Sequence, residues 1–203
     1  MGTELEWKLS APDPALLDAV LAWEGVARLL AETPRHYHMQ TTYYDSPDRA
    51  LAPRRITLRR RLENQRSVVC VKAPLPGAAD PHLHGEWELE AESPAEALPR
   101  LIALGAPALL GELERLVPVC GADFQRRAAL LRFPDGSACE LALDRGRLFG
   151  TGGELPLCEL ELEQKEGPPA AALALRLALT ERFGLSPQER SKYARAKELS
   201  LKK

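Results

Sequence analysis

Glu4-Leu5-Glu6-Trp7-Lys8, close to the start of the chain, decides how the remainder is read. In an extended strand successive side chains alternate, so Glu4, Glu6 and Lys8 share one face while Leu5, Trp7 and Leu9 share the other. A single strand of this kind turns its charges to water. Here the pattern recurs. Residues 157–164 read Leu-Cys-Glu-Leu-Glu-Leu-Glu-Gln, with Glu159, Glu161 and Glu163 on one face. Residues 84–92 set Glu86, Glu88, Glu90 and Glu92 against Trp87, Leu89 and Ala91. Arg59 and Arg61 alternate in Ile56-Thr57-Leu58-Arg59-Arg60-Arg61-Leu62, and Lys72 follows Val68 and Cys70 at strand spacing. Many strands with one charged and one apolar face point to a sheet closed on itself, and the question becomes which face points inward.

The 203 residues fit one domain, taken as 1–203, with a real core. Hydrophobic residues at 45% and charged residues at 28% describe an ordinary globular chain. A net charge of -2 supplies no global basic field for nucleic acid or an anionic membrane, so neither is an expected partner. No apolar run approaches a membrane span, and the N-terminus carries no signal-like apolar core. Cys70, Cys120, Cys139 and Cys158 are scattered without a CxxC pair, which predicts reduced thiols and a cytoplasmic protein. A monomer and a homodimer both remain open.

In chain order, Asp13-Pro14 opens a helix over 15–30, and a strand over 36–44 ends at Asp45-Ser46-Pro47-Asp48. Residues 56–63 and 67–73 form a hairpin, residues 74–81 a loop, and residues 85–92 the acidic strand. Ser93 and Glu96 make a capping box for a helix that continues, broken at Gly105-Ala106-Pro107, to about 116. Strands follow over 117–133, 137–144, 147–149 and 155–165, then helices over 167–183 and 187–199. The sum is an α+β, mostly β, fold of about eight antiparallel strands. The amphipathic helices need apolar surface to cover, so the charged strand faces must turn inward. A closed eight-stranded antiparallel β-barrel with a charged interior and helices packed outside satisfies both demands. So many ions cannot share a dry core, because each would need several kcal/mol of compensation; a wet tunnel of paired charges can hold them. Carboxylates suit a hard divalent cation and Arg or Lys suit phosphate oxygens, so the expected occupant is a metal-polyphosphate.

These residues resemble the CYTH superfamily, the triphosphate tunnel metalloenzymes. Glu4-x-Glu6-x-Lys8 matches the ExExK signature, and the likeness continues through Tyr43-Tyr44-Asp45-Ser46-Pro47-Asp48, Leu58-Arg59-Arg60-Arg61, Val71-Lys72-Ala73-Pro74 and Glu86-x-Glu88-x-Glu90. It extends to Asp123-Phe124-Gln125-Arg126, Leu143-Asp144-Arg145-Gly146, Glu159-Leu160-Glu161-Leu162-Glu163 and Ser191-Lys192-Tyr193-Ala194-Arg195. The resemblance implies an eight-stranded tunnel acting on triphosphates with Mg²⁺ or Mn²⁺. Metal ligands would fall on Glu4, Glu6, Glu159 and Glu161. Phosphate-binding positions would fall on Lys8, Arg59, Arg61, Lys72, Arg126 and Lys192. Glu88 and Asp144 match acidic positions near the metal, and Tyr43 a tyrosine beside the signature lysine; with Glu4, Glu6, Lys8 and Glu161 they form the expected catalytic set. The motif combination looks most like bacterial inorganic triphosphatases, which convert tripolyphosphate to pyrophosphate and phosphate. Thiamine triphosphatase, class IV adenylate cyclase and a polyphosphate-binding module without turnover are the alternatives. All four ligand carboxylates are present, which favours an enzyme. One departure is Ala52-Pro53-Arg54-Arg55, where related sequences usually have a glycine before the Leu-x-Arg-x-Arg strand.

Other features have plainer readings. His36-Tyr37-His38 and His82-Leu83-His84 adjoin turns and read as surface histidines rather than chelators. Arg60 and one member of Arg126-Arg127 must face outward by alternation. No GxxxxGK[ST] or GxGxxG element occurs, which excludes a P-loop or Rossmann site.

Overall fold

The computed structural model describes residues 2–75 and 83–200, with the side chains of residues 2–4 and 83 outside that description. Alternation of charge and apolar side chains becomes strand after strand: β1 (Gly2–Ser10), β2 (Arg35–Asp45), β3 (Thr57–Glu63), β4 (Arg66–Pro74), β5 (Leu83–Glu90), β6 (Val117–Arg132), β7 (Ala138–Gly150) and β8 (Gly153–Glu166). A two-residue β9 (Ser186–Pro187) follows. Among the described residues five α-helices accompany them: α1 (Pro14–Ala22), α2 (Glu24–Ala27), α3 (Pro94–Ala103), α4 (Ala170–Phe183) and α5 (Lys192–Leu199). Asp13 caps α1 by accepting from the Ala15 N–H at 2.8 Å, and Ser93 caps α3 by accepting from the Glu96 N–H.

The expected closed eight-stranded barrel is corrected by the pairing. The sheet of the described residues has nine antiparallel strands in the order β5-β4-β3-β2-β6-β7-β8-β1-β9, with a further short pairing of β5 to β1, and is not the expected closed eight-stranded barrel. The reason is stagger at β1. Its residues 6–10 pair with β8, whereas residues 2–5 lie opposite β5, so no β1 residue is paired to both neighbours. Residues 9 and 10 instead take β9 as a further partner. The sheet still curls far enough to bring inner side chains of β1 to β8 around one cavity.

Several boundaries also move. The helix expected over 15–30 ends at Ala22 and resumes briefly as α2. The segments expected over 137–144 and 147–149 are one strand, β7. Gly146 makes that continuity possible: a β-carbon there would lie 2.2 Å from the Asp123 carbonyl oxygen and 2.5 Å from Phe124 Cα. The last helix begins at Lys192 rather than 187, because the backbone at 186 and 187 is occupied in pairing with β1. The loop expected over 74–81 lies largely outside the described residues; Pro74 itself belongs to β4.

Apolar strand faces and helices meet on the outside, as the patterning requires. Trp7, Leu9, Leu141, Leu143, Leu160 and Leu162 pack under Leu17 and Val20 of α1 and Leu175 and Leu179 of α4. Leu58, Val69, Val71 and Trp87 pack under Ala97, Leu98 and Leu101 of α3. Each fully buried leucine in these layers contributes about 1.5–3 kcal/mol of transfer free energy. A third cluster lies inside the curl, where Tyr193 and Ala196 of α5 meet Met39, Tyr43, Ala122 and Phe124. That helix therefore enters the concave side and carries polar residues into it.

Candidate active site

One cavity of about 280 Å³ gathers most of the charged residues that strand parity turned inward. Glu6 and Lys8 line it from β1, Tyr43 from β2, Arg59 and Arg61 from β3, and Lys72 from β4. Glu88 lines it from β5, Arg126 from β6, Glu161 from β8 and Lys192 from α5. Asp144 and Glu159 do not reach this lining. Both side chains are 0% exposed and sit behind Lys192. The Glu4 side chain lies outside the described residues, although its backbone pairs opposite His84.

Behind the cavity wall, acidic and basic groups are matched closely. Lys192 Nζ is 2.7 Å from Asp144 Oδ2, 2.5 Å from Glu159 Oε1 and 2.7 Å from Glu161 Oε1. Arg126 donates to both Asp144 oxygens at 2.7 Å and to Glu161 Oε2 at 2.5 Å. Arg195 completes the arrangement on Glu159. Burial pushes the Glu161 carboxyl up, but Lys192, Arg126 and Lys8 outweigh it and hold the group well below the usual carboxylate range. Burial alone would lower Lys192, yet Asp144, Glu159 and Glu161 hold its ammonium protonated far above the ordinary lysine range.

Across the cavity a second group forms around Glu86, 3.5 Å from Arg59 and 3.6 Å from Lys72. Burial opposes its ionisation, but Lys72 and Arg59 bring the carboxyl down to about 2. Cys70 donates its thiol to the same oxygen at 3.0 Å, and burial pushes that thiol up to about 12. Glu6 lies between the two groups, 2.5 Å from Lys8. Its burial is outweighed by Lys72 and Lys8, which hold it below the usual range against the opposing charge of Glu161. Tyr43, buried beside Tyr193, has its phenol raised by burial despite Arg59 and Lys192, so it can donate a hydrogen bond but not act as a base.

Beyond the residues that the family resemblance implies, Glu86, Glu140, Glu163 and Lys165 also carry charge into the site. Parity placed Glu86, Glu88 and Glu90 on one face, but height along the strand separates them: Glu86 is enclosed by cations while Glu88 and Glu90 are exposed. Glu163 lines the cavity; Glu92 lies outside with Arg60. Arg127 also faces out, onto Asp18 of α1 at 2.6 Å. His36 is exposed and His38 contacts Asp123 at 2.6 Å, while His82 lies outside the described residues.

The carboxylates offer hard oxygen donors. Ligand atoms of Asp144, Glu159 and Glu161 all lie within 4.8 Å of one another, gathered around the Lys192 ammonium. This donor set fits a divalent cation of the Mg²⁺ type. A second group, Cys70, Glu86 and Glu88, has similar spacing but includes a protonated thiol.

A sequence model of the CYTH domain family matches residues 2–196. The chain belongs to the CYTH family. Among curated relatives, an inorganic triphosphatase of Haemophilus influenzae is 33% identical over 129 residues, which is 62% of this chain and 36% of that protein. The chain thus spans little more than a third of the length of this curated relative. Solved structures share the fold. A Hippeastrum adenylyl cyclase-type protein with a dominant triphosphatase activity superposes with a TM-score of 0.59 at 17% identity, covering 98% of this chain and 97% of its own. A Pyrococcus horikoshii protein gives a TM-score of 0.59 at 21% identity, covering 96% and 98% respectively. Of the Glu4-x-Glu6-x-Lys8 stretch on β1, Glu6 and Lys8 line the cavity. No helix among the described residues is long and apolar enough to cross a membrane.

Proposed function

We propose that this CYTH protein hydrolyses inorganic triphosphate to pyrophosphate and phosphate in the charged cavity, with Mg²⁺ or Mn²⁺ as cofactor. The observation that carries the reading is the convergence of Lys8, Arg59, Arg61, Lys72, Arg126 and Lys192 on one cavity that also presents Glu6 and Glu161. Six cations from four strands and a helix match a compact polyanion, and guanidinium groups grip phosphate oxygens with directional hydrogen bonds. The lining favours an inorganic substrate over an organic triphosphate. Trp7 and Trp87 are buried in the outer layers, and Phe124 has Arg126 and Lys192 over its ring at 5.7 Å and 5.3 Å. Neither arrangement offers an aromatic face to a base or a thiazole, and the two tyrosines of the lining, Tyr43 and Tyr193, pack on each other at 5.2 Å.

Hydrolysis forms a bond from water oxygen to the terminal phosphorus and breaks the bridging P–O bond, releasing phosphate and pyrophosphate. The Arg and Lys groups neutralise charge on the non-bridging and leaving oxygens. Glu6 and Glu161, both held ionised, accept hydrogen bonds from the attacking water and orient it. The proton that the water loses passes to solvent through the open cavity. Tyr43 positions Arg59, its register partner on β3. Glu4, Glu6, Glu159 and Glu161, with Asp144, are the residues that would hold the metal; when bound it supplies charge neutralisation and a more acidic water. Glu88 is retained in the catalytic set as an exposed carboxylate at the cavity edge. The four free cysteines favour a reducing compartment such as the cytoplasm.

Phosphate release from tripolyphosphate, ATP and thiamine triphosphate, with Mg²⁺, Mn²⁺ or EDTA, tests the reading. EDTA-sensitive release from tripolyphosphate, well above the other two, is expected. Binding without turnover of any substrate would instead mark a polyphosphate-binding module.

A further inference from the structure

The cavity opens beside α5 into a second compartment of about 340 Å³, and the two share Glu6, Lys8, Thr57, Lys72, Ser191 and Tyr193. The compartment is strongly basic: among the described residues it has five Lys or Arg side chains against two carboxylates. Arg55, Arg190 and Lys197 are the cations it adds to those already in the cavity. Lys197 is fixed by its position 5.4 Å over the Tyr193 ring.

Arg55 is the unusual member. It follows the short 3₁₀ turn Ala52–Arg54 with φ 57° and ψ 25°, in the left-handed region that glycine enters freely and a residue with a β-carbon resists. The turn around it is determined independently of its side chain. Buried Asp45 accepts from the N–H groups of Leu51 at 2.9 Å and Ala52 at 3.2 Å, and the Arg55 and Ile56 N–H groups donate to Ala52 and Leu51 carbonyls. An arginine therefore stands where the backbone suits glycine, with its side chain exposed on the wall of a basic compartment. Strain retained at such a place points to a task for the side chain.

We infer that this compartment is an anion subsite continuous with the triphosphate cavity, taking the further phosphate units of a linear polyphosphate longer than three, with Arg55 and Lys197 as its specificity-determining residues. The inference rests on the proposed function, since the central cavity must hold the first three units. A chain seated there and extended toward α5 passes Lys8 and Lys72, which border both spaces, before it meets Arg55. Tripolyphosphate contacts only the central set; a fourth phosphate gains a guanidinium partner.

The test is calorimetric binding of tripolyphosphate and tetrapolyphosphate in EDTA to the wild-type chain and to Arg55→Gly, Lys197→Glu and Arg59→Ala variants. Arg55→Gly is expected to weaken tetrapolyphosphate about tenfold and tripolyphosphate less than about twofold, the loss of one charge-assisted contact. Its Tm should not fall, because the substitution relieves the positive φ. Lys197→Glu should follow the same pattern, and Arg59→Ala should weaken both ligands. If Arg59→Ala weakens both while Arg55→Gly and Lys197→Glu affect the two ligands equally or not at all, the subsite is refuted and the triphosphate cavity stands. If the wild-type chain binds neither ligand, or Arg59→Ala changes nothing, the cavity reading fails and the subsite with it.

Discussion

Lys192→Met removes one positive charge from a buried cluster while nearly preserving side-chain volume. In the native arrangement Asp144, Glu159 and Glu161 face Lys192, Arg126 and Arg195, three anions against three cations. The lysine touches all three carboxylates within 2.7 Å and its side chain is 9% exposed, so water cannot replace it. Breaking a buried pair by deleting one partner costs about 3–5 kcal/mol, because the charge left behind stays desolvated. For a chain of this size each kcal/mol moves Tm by about 2–4 °C, so a drop of about 6–20 °C is expected in EDTA. The same variant leaves the three carboxylates one cation short, in a geometry suited to a divalent ion. Mg²⁺ at a hundredfold excess over its Kd would restore about 2.7 kcal/mol. Thermal unfolding followed by circular dichroism, with EDTA and with Mg²⁺, reads both effects, and the variant should gain more from Mg²⁺ than the wild type does. A Tm in EDTA unchanged to within about 1 °C would refute the charge accounting. Equal gains from Mg²⁺ would show that the lysine and the ion do not share the three carboxylates.

Glu86, brought down to about 2 from an ordinary 4.5 by Lys72 and Arg59 against burial, contributes stability that is present above 4.5 and lost as pH falls through 2. Glu86→Gln should forfeit about 3 kcal/mol at pH 7 and flatten the acid limb of a urea-denaturation profile between those values. Glu163 carries the opposite sign: burial raises its carboxyl, so ionisation inside the fold costs stability as pH rises past the unfolded value. Glu163→Gln should therefore raise Tm slightly at pH 7 and leave it unchanged at pH 3. Arg126→Lys keeps the charge but loses the fork that holds both Asp144 oxygens and Glu161; steady-state kinetics should show KM for tripolyphosphate rising by about tenfold, whereas an unchanged KM would remove Arg126 from the binding set.

Strand parity was the most legible part of this fold, because it depends only on neighbours along the chain. It turned Glu6, Lys8, Arg59, Arg61, Lys72 and Glu161 inward and Arg60 outward, and required one of Arg126 and Arg127 to face out, which in the structure is Arg127. Closure was not legible in the same way. Whether a sheet meets itself depends on stagger between its first and last strands, and the divided pairing of β1 between β5 and β8 leaves no trace in its residue pattern. Height along a strand is equally hidden: Glu86 and Glu88 are equivalent by alternation, yet only Glu86 is enclosed between Arg59 and Lys72. The family resemblance proposes which residues belong to the site, but it could not show that Glu159 and Asp144 lie behind Lys192 rather than on the cavity wall.

The misplaced start of the last helix shows how a local signal can be overruled. Pro187 is a fair helix opener by its fixed φ, and Ser186 before it a fair cap. Both are instead held against β1, where Leu9 and Ser10 pair with them and Gln188 donates its N–H to the Lys8 carbonyl at 2.9 Å. The Gln188 side chain then reaches Ser10 Oγ at 3.1 Å. Only at Ser191, whose hydroxyl accepts from the Ala194 N–H, does the helix begin. The consequence reaches the chemistry: a short connection fastens α5 to the strand that carries Glu6 and Lys8, so the height of Lys192 is set by β1. Gln188→Ala keeps the N–H that meets the Lys8 carbonyl but removes the side-chain bond to Ser10 and the acceptor of the Arg190 N–H. It should therefore loosen the connection that sets Lys192 against Lys8, read as a rise in KM for tripolyphosphate with Lys8 and Lys192 themselves unchanged.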